Sequence, residues 1–275
     1  MSILNASILG VIQGLTEFLP ISSSAHLLLS EQLLKFNPPG VFLEVFLHFG
    51  TTLSVLFLFR KRILEILRSI FPPNRSATGF SLFLLLLVGS LPAGFVGVTL
   101  HSFFENFFDS QEVVLWSSSL LVVTGIVLFF TRFSKMTGNP FGIWDALWIG
   151  IAQSFAILPG LSRSGLTIST GLFLGKDREK VVEFSFLLSI PAVLGAMGVE
   201  WVSGFNGLTG FSQLNLLNPI NPLMTSLWVG AFVSFLSGIF AIKVLLSIVR
   251  RGRLDWFAYY CWGVGLAGIL FSIKN

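Results

Sequence analysis

The chain is written mostly in long apolar runs separated by short polar punctuation. Six runs, near residues 41–59, 81–101, 112–131, 182–203, 224–249 and 255–273, are long enough to cross a bilayer as helices. A crossing takes about 20 apolar residues. Two further apolar stretches, 2–35 and 143–175, are broken midway by a Leu-Pro pair followed by a serine cluster. Proline removes a backbone donor and disfavours helix at the residue before it, so each stretch predicts a helix, a turn and a second helix.

Composition agrees with a chain that lives in lipid. Of its 275 residues 53% are hydrophobic and 11% charged, against roughly 25% charged in soluble domains. The mean hydropathy is +0.85. The start, "MSILNASILGVIQGL", has no basic region and no small-residue cleavage site after it, so no cleaved leader is expected. The single cysteine, Cys261, excludes an internal disulfide framework and a cysteine-built metal site.

The net charge of +4 does not point to nucleic acid, because the basic residues sit in short loops between apolar runs. Arg60, Lys61, Arg62, Arg68 and Arg75 mark 60–79 as cytoplasmic. So do Arg132 with Lys135, then Lys176, Arg178 and Lys180, then Arg250, Arg251 and Arg253 for three later segments. The 102–111 loop carries only Glu105 and Asp109, and 204–223 carries no charge, so both are expected outside. Segment 143–175 then starts and ends beside cytoplasmic loops, and must enter the membrane and return.

An internal repeat extends this to the other broken stretch. "GVIQGLTEFLPISSSA" from Gly10 resembles "GIAQSFAILPGLSRSG" from Gly150, and "EVFLHFG" from Glu44 resembles "EFSFLLS" from Glu183. Each half, 1–138 and 139–275, reads as one re-entrant helical hairpin plus three transmembrane helices. Three crossings are odd, so the second half is expected upside down relative to the first. The fold class is therefore an all-α polytopic membrane protein with an inverted-topology repeat, one integral domain over 1–275, whose sites belong near the repeat interface.

Broken helices at membrane depth survive only where protein or a wet cavity satisfies their backbone. Helices should restart near Ser24 and Gly165, with Ser22 to Ser24 and Ser162 to Ser164 supplying the caps. Two helix starts facing one cavity would suit an anion such as phosphate. Arg163 lies deep in an apolar segment, costly at about 2.5–3.5 kcal/mol on insertion scales, and its donor fork suits a phosphate. The plainer alternative is an Arg that pairs with a buried Glu to tie the hairpins together. Gln13 and Glu17 project from one helix face toward the break, as a cation site, a base or a simple cap. Ser23 offers a nucleophile or a cap, and His26 a proton shuttle or a nucleophile. Glu44 and Glu183 hold equivalent repeat positions and could line the cavity or brace the broken hairpins through their backbone donors, with bracing the favoured role. His48, Glu200 and His101 are weaker candidates.

These residues carry a resemblance. "QGLTEFLPISSSAH" and "PGLSRSGLT" are similar to the two signature regions of the undecaprenyl-diphosphatase family, also called the bacitracin-resistance family. Gln13, Glu17, Pro20, Ser22, Ser23 and His26 match the first; Pro159 to Thr167 match the second without exception. Gln13 stands where the family also uses Glu, and "SSSAH" replaces the commoner "SSTGH". The resemblance implies an integral phosphatase of the bacterial cytoplasmic (inner) membrane, opening to the external face. It would hydrolyse undecaprenyl diphosphate, the lipid carrier of cell-wall synthesis, to the monophosphate. It also implies a divalent cation, magnesium or calcium, with Glu17 and Gln13 as candidate ligands. Glu17, Ser23, His26 and Arg163 become the expected catalytic set. Ser22, Ser24, Gly160, Ser162, Ser164 and Thr167 become the expected phosphate contacts. A homodimer is compatible with this reading.

Two nucleophiles stay open at this point. Ser23 could attack with His26 as base, or His26 could attack with Ser23 as a phosphate donor. A lipid transporter would share paired broken helices, though transport does not call for a histidine beside serines at an anion site.

Overall fold

Helix after helix forms because each apolar run is ended by a residue that helix cannot pass or that caps it. In the computed structural model, residues 2–34, 42–71, 76–100, 112–206 and 222–274 are described, with backbone alone at 34, 42 and 199–206. In chain order these are α1 (Ile3–Phe18), α2 (Ser23–Leu34), α3 (Phe42–Leu58), α4 (Arg60–Ile70), α5 (Ala77–Thr99) and α6 (Val113–Phe130). After a 3₁₀ turn at Thr131–Phe133 come α7 (Ile143–Phe155), α8 (Arg163–Phe173), α9 (Arg178–Asn206), α10 (Pro222–Arg250) and α11 (Trp256–Lys274). No strand occurs among the described residues. Ser2 caps α1 by accepting from the Asn5 N–H at 3.1 Å, and Ser76 caps α5 through the Gly79 N–H at 3.3 Å.

Among the described residues five helices, Ala77–Thr99, Val113–Phe133, Arg178–Gly198, Pro222–Arg250 and Trp256–Lys274, are long and apolar enough to cross a membrane. A sixth candidate is Leu43–Leu58, from which Arg60–Ile70 bends away by 78°. The protein is thus an all-helical, multi-pass membrane protein. The expected bracing role of Glu183 is corrected here. Its carboxylate accepts instead from Arg62 of α4 at 2.8 Å, tying the bent helix to α9, while Glu44 is exposed. Arg75, His101, Glu105, Asp109 and most of the 204–223 loop lie outside the described residues, as does the Glu200 side chain.

Helices in lipid gain little by hiding apolar surface from each other; close backbone contact and interhelical hydrogen bonds hold them. α1 lies along α10, which also packs on α3; α5 packs on α7, and α6 on α11. Small residues set the spacing. A Cβ on Gly14 would strike the Ser237 side chain and the Ser234 carbonyl, and one on Gly150 would strike the Gly89 carbonyl. Serines then bridge the contacts: Ser234 Oγ donates to Leu47 O at 2.9 Å and Ser54 Oγ to Phe235 O at 2.8 Å.

Both broken stretches fold as hairpins, α1/α2 and α7/α8. The ends of the second meet: Thr137 N donates to Gly175 O at 2.8 Å, and Lys176 pairs with Asp145 at 2.8 Å. Lys176 also donates to Pro140 O at 2.9 Å, so this buried ammonium is doubly satisfied. The segment therefore leaves where it entered. Around the two hairpin tips, Phe18, Ile21, Ala25, Leu121, Ile168 and Phe186 form part of the largest buried cluster.

Gly150→Val should force α7 from α5 and cost about 1–3 kcal/mol. That lowers the thermal midpoint in detergent by about 2–4 °C per kcal/mol. Gly94→Ala, with open space around it inside α5, should not lower the midpoint.

Candidate functional site

The two hairpin tips touch, and the residues singled out from sequence lie at the contact. α1 ends at Phe18, Pro20 turns the chain, and α2 restarts at Ser23. α7 ends at Phe155, Pro159 turns the chain, and α8 restarts at Arg163. Both starts are built alike. Ser22 Oγ lies 3.2 Å from Ser24 Oγ and accepts from Ala25 N at 3.5 Å. Ser162 Oγ lies 3.2 Å from Ser164 Oγ and accepts from Gly165 N at 3.1 Å. Across the tips, Gly160 N donates to Ser24 Oγ at 3.4 Å and Ser164 Oγ to Leu19 O at 3.3 Å.

Glu17 is the hub. It leaves the last turn of α1 with its side chain 6% exposed, and Arg163 donates to its Oε1 through Nη2. Ser23 Oγ donates to Oε2 at 2.7 Å, and Gln13 Nε2 donates to the same oxygen at 3.0 Å. Ser23 and Arg163 are each the first residue of a restarted helix. The carboxylate therefore sits where two helix starts deliver donors, the place an anion favours. Arg163 Nη1 and Gln13 Oε1 are buried with no partner among the described residues. A buried guanidinium N–H without an acceptor costs free energy, so the site holds a donor in reserve. The plainer expectation, an Arg–Glu pair joining the hairpins, is met in the same contact.

The expected phosphate contacts fall into the framework of the tips. Gly160 takes φ +100°, and a Cβ there would strike the Ser117 carbonyl, so only glycine fits. Its carbonyl accepts from Thr124 Oγ1 at 3.0 Å, and that hydroxyl accepts from Ser162 N at 3.1 Å. Thr167 is fully buried, with Oγ1 at 2.6 Å from Ser185 Oγ and 2.8 Å from Arg163 O. Ser22, Ser162 and Ser164 are likewise buried. Ser23, Ser24, His26 and Arg163 are the members with partial exposure.

His26 is not hydrogen-bonded to Ser23. Its Nδ1 lies 2.8 Å from Ser22 O and its Nε2 lies 2.9 Å from Tyr260 Oη on α11. Two residues thus join the site that sequence reasoning ranked low or passed over. His48 of α3 places Nδ1 3.1 Å from Gln13 Nε2 and 3.6 Å from Glu17 Oε2. Its signal was legible, since an ionisable residue inside an apolar span is functional by default. Tyr260 offered no signal beyond being one of two tyrosines.

Ser22 takes φ +66°, the left-handed region, costly by about 1–2 kcal/mol for a residue with a Cβ. Its carbonyl is held there by His26 Nδ1 and by His26 N at 3.3 Å. Ser22→Gly should therefore be more stable than Ser22→Ala by about 1 kcal/mol, since both lose the cap and only glycine relieves the strain. Thermal midpoints of the two variants in one detergent check this.

Comparison with known proteins agrees with the geometry. Residues 6–267 match the family described as "Bacitracin resistance protein BacA". A protein named undecaprenyl-diphosphatase from Syntrophotalea carbinolica is 40% identical over 283 residues, covering 100% of both chains. One of the same name from Halothermothrix orenii is 41% identical with 99% of each chain covered, and one from Desulfatibacillum aliphaticivorans is 39% identical with 95% and 96% covered. With nearly its whole length matched and both broken hairpins meeting at one arginine–glutamate pair, this chain belongs to the BacA family of bacitracin-resistance proteins.

Proposed function

We infer that the protein is an undecaprenyl-diphosphate phosphatase, releasing undecaprenyl phosphate and inorganic phosphate and so returning the lipid carrier to cell-wall synthesis. The observation that carries this reading is Glu17 clasped by Ser23 and Arg163 at two helix starts, with Arg163 Nη1 unpartnered. An anion already occupies the anion site, and it is the protein's own. An arriving diphosphate offers several acceptor oxygens in place of one carboxylate, and the fork of Arg163 can bind two of them. As Arg163 turns to phosphate, Glu17 loses its strongest neutralising partner and becomes a better acceptor for the Ser23 proton.

The geometry favours Ser23 as nucleophile with Glu17, rather than His26, as its proton acceptor, since Ser23 Oγ–H already points at Oε2. Ser23 Oγ would form a bond to the terminal phosphorus as the bridging P–O bond breaks, and undecaprenyl phosphate departs with that oxygen. Water would then attack the phosphoserine, giving up a proton to Nε2 of His26, and inorganic phosphate would leave as Ser23 Oγ takes back the proton held on Glu17. One observation favours the rival. Nδ1 of His26 is tied to a backbone carbonyl, so Nε2 carries the lone pair that could attack phosphorus.

The residues present fit a cation that is shared with substrate rather than caged by protein. No group of three or more His, Cys, Asp or Glu converges among the described residues. Glu17 and the unpartnered Oε1 of Gln13 supply two hard oxygens on one helix face. That is the donor set of magnesium, which keeps waters and binds through one or two carboxylates plus phosphates. Bound there, magnesium or calcium would offset diphosphate charge.

The finer architecture belongs to the same proposal. The matching Ser–Ser contacts at both helix starts, the α1–α10 packing mirrored by α7–α5, and α6 against α11 support an inverted repeat about the tip contact. The loop charges support the inside and outside assignment of the loops, and the family resemblance supports an inner-membrane protein whose site opens outward.

Phosphate release from purified protein in detergent tests the activity directly. Arg163→Lys should lower turnover by about 10²–10³-fold, the usual loss for a missing transition-state donor, and Ser23→Ala, which removes the nucleophile, by up to about 10⁶-fold. Undiminished release in either variant removes that residue from the site. Trapped label that survives acid on residue 23 supports Ser23; acid-labile label lost in His26→Ala supports the histidine. For orientation, cysteines placed in 204–223 should react with an impermeant thiol reagent on intact cells. The buried Cys261 should stay silent.

A further inference from the structure

His26 is gripped at both ring nitrogens, and only one grip comes from its own hairpin. A backbone carbonyl can only accept, so the 2.8 Å contact with Ser22 O puts a proton on Nδ1. A neutral imidazole then has a bare Nε2, and the 2.9 Å contact to Tyr260 is a hydroxyl donating to that lone pair. The two rings also stack, with centroids 5.6 Å apart and planes within 9°. Tyr260 lies 234 residues away, on α11. Its neighbour Cys261 touches the same hairpin, with Sγ 3.7 Å from Pro20 O.

We propose that Tyr260 is a positioning residue for His26: its hydroxyl and ring hold the imidazole at a fixed angle with Nε2 as the nitrogen presented to the reaction. The proposal rests on the reading that His26 takes part in phosphoryl transfer, as base, acid or nucleophile. A histidine tied only at Nδ1 still swings about that bond, and its second nitrogen points at no defined place. Stacking fixes the ring plane, and the hydroxyl fixes the in-plane direction of Nε2. Half-exposed Tyr260 can yield Nε2 to an incoming phosphate oxygen or water without unfolding anything. An apolar partner would leave Nε2 unpaired between turnovers.

Tyr260→Phe keeps the stacked ring and removes only the hydroxyl, so it separates hydrogen bond from packing. With a net hydrogen bond lost, kcat should fall about 5–10-fold while KM stays within about twofold. In ¹⁵N-histidine-labelled protein, assigned with His26→Ala, the Nε2 resonance of His26 should move downfield toward a free imine nitrogen. In the His26→Ala background, Tyr260→Phe should add no further loss, since its effect passes through the imidazole. Wild-type kcat with an unmoved Nε2 resonance overturns the proposal, as does an equal loss from Tyr260→Phe with and without His26. If His26→Ala itself turns over at the wild-type rate, the catalytic reading of His26 fails instead, and the resonance still reports whether Tyr260 holds the ring.

Discussion

One buried ion pair, Arg163 with Glu17, holds together what two separate hairpins bring to the middle of the protein. Each charge alone would be hard to place at that depth. A lone guanidinium costs several kcal/mol on insertion scales, and an uncompensated partner of a broken buried pair costs about 3–5 kcal/mol. The pair is affordable only because the donors around it are complete: Ser23 and Gln13 fill Oε2 while Arg163 takes Oε1. Within this cluster, and among the described residues, Arg163 Nη1 and Gln13 Oε1 stay unpartnered, one donor and one acceptor. Such an arrangement fits the proposed ligand, which brings acceptor oxygens to a buried donor.

The rest of the molecule keeps two helix starts at one spot. Prolines stop α1 and α7 from running on, serines cap the restarts, and Gly160 lets the second tip lie against α6. Most serines and the threonine of the two motifs work as framework, their hydroxyls spent on neighbouring N–H and C=O groups. A motif residue need not touch substrate to be indispensable; in a water-poor interior every turn must find its hydrogen bonds within the protein. Around them, glycine and serine contacts along α1, α3 and α10 set helix spacing where lipid supplies no hydrophobic force between helices.

The site also shows how a serine and a histidine three residues apart can have different partners. Ser23 turns to the carboxylate of its own hairpin, whereas His26 turns to Ser22 O and to α11. In the proposed mechanism this division makes Glu17, rather than His26, the acceptor of the Ser23 proton, and leaves the histidine for the water or the phosphorus itself.

Residue order alone determined the membrane class and the two breaks, and it singled out Glu17, Ser23, His26 and Arg163, which the two hairpin tips bring together. Those features are local: a proline after an apolar run, a serine before a helix start, an ionisable group inside a span. Tertiary structure decided the partners. Arg163 meets Glu17 across 146 residues and Tyr260 meets His26 across 234, separations over which no periodicity speaks. It also decided that Glu183 grips Arg62 and that His48 reaches Gln13. The physical reason is that in lipid both the outer and the packed faces of a helix are apolar, so hydrophobic pattern marks the helices but not which faces meet. That choice was made by small residues and by buried polar groups that had to find one another.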